Sequence, residues 1–454
     1  MADKRHISSV ARFRFSYCNR LYLFCLSFNV TKTCDYKTAN NSQGNSMTNN
    51  QTGADSTIIR WLTYMMFMMF AMTTDAVGVI IPEVMKDFDL SMTAAGMLHY
   101  GPMLAIALSG IFFGFLADRL GRKKTIILGL ALFAITAYLF LAGSTFAYYL
   151  GLMMISGVAI GIFKTAALAL IGDISTSTTQ HTSTMNGVEA FFGVGAIIGP
   201  FLVTYMLTQG VDWKWLYIFA ATFCVALIVM ALFVKYPESK HIPENPITLQ
   251  QTLKMLKDPY ALGFSLGAFF YVATESAIYV WMPTLLLDYS GNALFLATYA
   301  LTIFFVLRAA GRFLGIWMMA RFNWAVLMSL FSFAILLCFV GTIIIGTAAA
   351  VYLLPLSGLF MSVIYPTLNS KGISCFPKQN HGGAAGVILF FTALGAAFGP
   401  LSMGLVSDRY GGNAEYGFMV AGIFAGLLFV GLLINQLKSL TDVRLQALEK
   451  SEYS

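Results

Sequence analysis

Twelve runs of roughly 20 mostly apolar residues each, the length that crosses a bilayer as a helix, follow one another between residues 58 and 436. Their limits are 58–81, 94–116, 125–143, 146–171, 185–207, 213–235, 260–285, 294–319, 325–345, 348–368, 383–406 and 416–436. Lipid offers no partner to a backbone N–H or C=O, so such segments cross as helices or as closed barrels. None of the runs alternates with period two, which excludes a barrel. Charged residues are only 11% of the chain and mean hydropathy is +0.73, whereas soluble domains are about a quarter charged. The expected fold is an all-α membrane protein of twelve transmembrane helices. The hydrophilic stretches between the runs are too short for a soluble domain.

The basic residues set the expected topology. With residues 1–46 set aside and the first run starting inside, the inner side holds fifteen Lys and Arg, and the outer side only Lys86, Lys214 and Arg409. That is the positive-inside pattern. Both termini are expected in the cytoplasm, with the chain in a plasma (inner) membrane. The formal charge of +7 then reflects topology and not a nucleic-acid surface. The six cysteines are scattered and have neither metal-ligand nor disulfide spacing. Residues 1–46 are acid-poor and hold one short apolar run at 21–28. A signal peptide is one reading; the other is a disordered cytoplasmic leader, 1–56, with translation starting at Met47 and residues 1–46 mis-assigned or disordered.

An internal duplication divides the rest. FFGVGAIIGP at 191–200 returns as FFTALGAAFGP at 390–400, so that Gly195, Ala196, Gly199 and Pro200 recur as Gly395, Ala396, Gly399 and Pro400. Ser156-Gly157 likewise returns as Ser357-Gly358, and Gly110 as Gly311. Two six-helix bundles are expected, 57–235 and 260–436, joined by a cytoplasmic linker, 236–259, and followed by a tail, 437–454. Within the linker, ITLQQTLKMLK has the spacing of a short amphipathic helix.

Between the second and third runs lies GFLADRLGRKK, 114–124. Gly114 permits close helix approach, Gly121 a tight turn, and Asp118 can accept hydrogen bonds from the amides of a helix start. Arg119, Arg122, Lys123 and Lys124 either belong to the same gate or only fix topology. This loop, with the duplication, resembles the major facilitator superfamily over 57–436. The resemblance implies solute transport by alternating access, with a site between the bundles near the midplane. It also implies a gate in which Asp118 meets the start of the eleventh helix at Gly382-Gly383. The Gly-Ala-x-x-Gly-Pro strings resemble an exporter signature, and also suit plain helix packing.

Charges within apolar runs are costly unless paired or wet. They are Asp75, Lys164, Glu189, Glu275, Arg308 and Arg312, three acids against three bases. The segments GIFKTAAL (161–168), NGVEAFFGVGAII (186–198) and YVATESAIYVWMP (271–283) resemble the fucose permease-like branch of sugar:proton symporters. That branch has a carboxylate where this chain has Lys164, so coupling would fall to Asp75, to Glu275, or to a switch between Lys164 and a carboxylate. Phe192, Tyr271, Tyr279 and Trp281 are candidate faces for a sugar ring. His99, the one histidine in a span, reads as a packing residue or a proton relay.

No phosphate-binding loop, catalytic carboxylate pair or metal motif is present in the sequence. The chain is therefore read as a carrier and not an enzyme, with no cofactor and a proton as coupling ion. The expected function is proton-coupled uptake of a small polar solute such as a sugar by a monomer needing no protein partner. An exporter of amphipathic compounds and an organic-anion carrier are the alternatives.

Overall fold

A computed structural model describes residues 46–113, 116–175, 178–236, 255, 257–319, 321–377 and 381–452. The chain separates into residues 1–52 and a compact unit, Gly53–Ser454, which is the subject below. Residues 1–45 of the expected leader and most of the linker helix lie outside the described residues, while 46–56, expected as disordered, are helical.

The membrane helices are α1 (Ser46–Thr74, resuming as Val77–Phe88), α2 (Met92–Phe113), α3 (Arg122–Tyr138), α4 (Phe146–Ile174), α5 (Thr178–Thr208) and α6 (Trp215–Phe233). The second half repeats them as α7 (Pro259–Leu285), α8 (Ala300–Met319), α9 (Trp324–Ile345), α10 (Thr347–Met361, resuming as Ile364–Ser374), α11 (His381–Arg409) and α12 (Ala414–Lys438). Eleven of them meet the length and apolarity needed to cross a bilayer. The remaining one, α2, is 22 residues long. The first helix starts at Ser46, before the apolar run, because the polar residues ahead of Ile58 continue the same helix.

Two helices are broken, and the breaks matter for the site. In α10 the ring of Pro366 would collide with the carbonyl four residues earlier, that of Ser362. The helix accordingly lapses at Ser362 and Val363. In α1 it lapses at Asp75 and Ala76, and a shorter i→i+3 bond from Val79 N–H to the Ala76 carbonyl restarts it. Asp75 thus stands just ahead of a new helix start, where the backbone dipole favours an anion.

The duplicated glycines do the same work in each half. A Cβ on Gly195 or Gly199 of α5 would come within 2.1 or 2.0 Å of the Met68 or Met72 carbonyl of α1. On Gly395 and Gly399 of α11 it would come within 2.5 and 2.7 Å of Phe269 O and Ala273 Cα of α7. Gly157 meets Pro102 of α2, and its repeat Gly358 meets Phe304 of α8. Backbones touch where side chains are missing, which binds each half into one body. At the face that carries the 114–124 loop, called the basic face below, a terminal helix α13 (Leu440–Glu452) folds back onto the second half. Arg444 bridges to Asp258 at 2.9 Å and donates to the Cys375 carbonyl at 2.7 Å.

Replacing Gly199 or Gly399 by Val forces overpacking of a kind that costs ~1–3 kcal/mol. Each variant should unfold at a lower temperature in detergent, measured by tryptophan fluorescence. Gly193→Ala, where a Cβ meets nothing within 4 Å, should not.

Candidate functional site

The charged residues of the spans face one another near the middle of the molecule. From α7, Glu275 receives Arg308 of α8 at 2.7 Å. The Tyr271 hydroxyl, one turn before Glu275, lies 3.0 Å from its Oε1 and 2.9 Å from the Met361 carbonyl at the break in α10. Its single hydrogen serves one acceptor at a time. Glu275 is 8% exposed and Arg308 22%, so the pair is desolvated and its partners are obligatory.

Across from this pair stand Asp75 of α1 and Lys164 of α4. Asp75 is within electrostatic reach of Arg308, Lys164 and Glu275. Lys164 forms no ion pair among the described residues, and its Nζ stands 5.4 Å from the centre of the Phe192 ring of α5, a cation–π contact. Asp75, Lys164, Phe192, Arg308 and Arg312 are all half-buried. These groups, drawn from both halves, form a charged, partly accessible centre where the halves meet. Glu189 of α5 is exposed, and its backbone carbonyl accepts from Arg312 at 3.5 Å. Tyr365 of α10 stacks on Tyr271 at 6.0 Å, with the polar side chains of Asn369 and Thr392 close by. The sequence-level candidates did not include Asn369 and Thr392, since uncharged polar residues in an apolar run carry little signal.

The face opposite the basic one is sealed. A Cβ on Gly78 of α1 would lie 1.8 Å from the Tyr279 carbonyl of α7, so the two backbones touch. His99 of α2 is 2% exposed, with its ring against Tyr279 at 5.3 Å. Trp281 is 0% exposed, donates to the Pro400 carbonyl at 2.9 Å and packs on Gly96 of α2. It therefore belongs to the seal and not to the charged centre, because its indole N–H is already committed to α11.

At the rim of the seal, the carboxylate of Asp408, at the end of α11, accepts from the N–H groups of Met92 and Thr93 at 2.9 Å each. It caps α2. The sequence signal for this contact is the string Gly404-x-x-x-Asp408-Arg409-x-Gly411, which has the pattern of Gly114-x-x-x-Asp118-Arg119-x-Gly121. The earlier loop was singled out, and its counterpart was missed.

The candidate gate residues in the 114–124 loop divide. Arg122 is buried against Asp173 of α4 at 2.9 Å. Lys123 donates to the carbonyls of Leu232 and Val234 at 2.8 Å each, closing the end of α6. Both contacts lie within the first half. Gly121 takes a positive φ of 82°, the conformation glycine tolerates best, and starts α3. Arg119 is exposed. Gly114 and the side chain of Asp118 lie outside the described residues. No group of His, Cys, Asp and Glu among the described residues is arranged to hold a metal.

The sequence profile of the Major Facilitator Superfamily matches residues 62–400. The chain belongs to this superfamily. As a major facilitator protein it is a membrane carrier and not an enzyme. It is 24% identical over 409 residues to the L-fucose-proton symporter of Escherichia coli strain K12, covering 80% of this chain and 90% of that protein. It is also 24% identical over 369 residues to multidrug resistance protein 2 of Bacillus subtilis strain 168, covering 78% and 88%. Among solved structures, the nucleoside transporter NupG superposes with a TM-score of 0.67 at 15% identity, covering 84% of this chain and 98% of that one. Twelve helices in two six-helix bundles, and the resemblance to the fucose permease-like branch, agree with these likenesses.

Two outcomes are expected. Glu275→Gln leaves Arg308 desolvated without its acid and should cost ~3 kcal/mol or more, while Glu275→Met with Arg308→Met should recover most of it; thermal unfolding measures both. Asp408→Ala removes a helix cap worth ~1 kcal/mol. Amide exchange across 91–96 should then quicken about fivefold, the ratio such an energy corresponds to.

Proposed function

We propose that this chain is a secondary carrier of the plasma (inner) membrane, moving a small polar solute such as a sugar inward together with a proton by alternating access. The observation that supports this reading is that Asp75 of one half lies within electrostatic reach of Lys164 and of the Glu275–Arg308 pair of the other. In this scheme the solute binds between the halves and Asp75 takes and releases the proton. The bodies rock so that the crevice opens to one side of the membrane and then to the other. The basic face, with both termini, lies in the cytoplasm, and the chain works as a monomer. In the alternate state the far face parts and Asp118 caps the start of α11 at Gly382-Gly383.

The printed function of the fucose–proton symporter relative supports a sugar and a proton. The exporter reading leaned on the Gly-Ala-x-x-Gly-Pro strings, and both copies are occupied in helix packing. A proteoliposome experiment tests the proposal. An inward proton gradient should drive accumulation of labelled sugar or a related polar solute. Asp75→Asn, which resembles the protonated acid, should lose that accumulation roughly 10-fold or more, within the usual range of coupling energies, while still exchanging solute across the membrane. Accumulation by the variant equal to that of the parent would overturn Asp75 as the coupling group, and efflux of hydrophobic dyes in place of uptake would overturn the direction.

A further inference from the structure

The charge count of the crevice restricts the solute further, an argument that rests on the carrier reading above and on Asp75 as its proton site. Asp75 is faced by Lys164 from α4, Glu275 and Tyr279 from α7, and Arg308 from α8. Farther out, Glu189 of α5 is in reach of both Lys164 and Arg312. The inner set of Asp75, Glu275, Lys164 and Arg308 sums to zero, and so does the outer pair of Glu189 and Arg312. An alternating carrier takes its site through a closed, water-poor state twice in each cycle, once empty and once loaded. Net charge in such a state is penalised steeply. The empty site passes this condition as it stands. A site with a proton on Asp75 does not, because it then holds one positive charge too many. A neutral solute leaves that excess in place, and a doubly charged one replaces it with a deficit.

We infer that the solute is a hydroxylated monocarboxylate, and that it crosses with one proton as an electrically neutral pair. Lys164 is the receptor for the carboxylate. Arg308 is held by Glu275 at 2.7 Å, whereas among the described residues Lys164 has an aromatic ring at 5.4 Å and carboxylates within electrostatic reach but no ion pair at contact distance. When Asp75 takes its proton, Lys164 keeps only Glu189 as a carboxylate within electrostatic reach, and that one is exposed and shared with Arg312, so Lys164 gains the greater need of an anion. The Nε atoms of Arg308 and Arg312 are buried without an acceptor among the described residues, so the C-half wall still offers donors beside the already paired carboxylate of Glu275. Hydroxyls of the solute find partners in the Tyr365, Asn369 and Thr392 group, whose side chains are half-buried beside Tyr271. The order of events follows: proton first, carboxylate second.

The test uses the full chain in two measurements. In the first, thermal unfolding is followed with D-gluconate, D-glucuronate, D-glucose and the dicarboxylate D-glucarate, each at roughly 10 mM, enough for weak ligands to register by mass action. At least one monocarboxylate should raise the unfolding temperature, more at acid than at neutral pH. Glucose and glucarate should not. Lys164→Gln should fold and should weaken that monocarboxylate at least 10-fold, as judged from its titration, while Lys164→Arg should keep it. In the second, uptake of the stabilising acid into proteoliposomes should follow a pH gradient and be unaffected by a potassium diffusion potential of either sign. Stabilisation by glucose alone, or by no monocarboxylate in the panel, overturns the inference, as does uptake that responds to the potential. Proton-driven uptake of a neutral sugar that depends on Asp75 would refute the monocarboxylate and leave the carrier reading standing. Uptake of the acid that ignores the pH gradient would refute proton coupling itself.

Discussion

An ion inside a bilayer persists only beside its opposite or beside water, and the middle of this molecule is arranged around that condition. Arg308 and Glu275 meet it with each other, at 2.7 Å, and the Tyr271 hydroxyl extends the pair to the carbonyl of Met361 where α10 is broken. Three helices of the second half are thereby fixed around one desolvated charge pair. The first half meets the condition differently. Lys164 has an aromatic face and Asp75 has a helix start, and among the described residues neither has an ion-pair partner at contact distance. One half holds a settled pair, and the other holds charges free to change partners. That asymmetry is what a carrier needs if binding is to be felt by the protein.

Rigidity within each half and mobility between them come from the same kind of contact used in different amounts. Gly195 and Gly199 lay α5 on α1, and Gly395 and Gly399 lay α11 on α7, backbone against backbone. The far-face seal also uses glycines, Gly78 against Tyr279, Gly96 against Trp281 and Gly404 against Thr93. Between the halves, however, the close glycine contacts among the described residues gather at the far face. A contact confined to one end can be undone by rocking, whereas one that runs along the helices cannot.

The bilayer makes some of this plain in the sequence. A helix in lipid cannot tolerate polar residues without cause, so the twelve runs, the charges within them and the repeated glycines stand out by composition alone. The breaks in α1 and α10 do not. Pro366 accounts for the second, but nothing near Asp75 and Ala76 distinguishes the first from continuous helix, since Pro82 lies well beyond it. Trp281 looked like a platform for a solute and is instead buried in the seal, because whether an aromatic faces a crevice or a neighbouring helix depends on the rotation of α7, which the one-dimensional pattern leaves free. The partner of Arg122 was equally hidden: Asp173 ends α4, and only the fold brings it to the start of α3.

The two Gly-x-x-x-Asp-Arg-x-Gly strings make sense together once α2 and α11 are seen to run antiparallel. Each string follows the end of its helix, 114–121 after α2 and 404–411 at the end of α11. Antiparallel neighbours set the end of one beside the start of the other at both faces, so a carboxylate just past each end can cap its neighbour. Under the rocking proposed above, one pair of ends would come together as the other separates, and one cap would replace the other. Asp408 makes its cap in this state, on Met92 and Thr93, and Asp118 is proposed to make its equivalent in the other. A cap is worth ~1 kcal/mol, which biases a two-state equilibrium without trapping it. Two weak latches in opposition would keep both states populated, so that the small energy of a bound solute and proton decides which one is occupied.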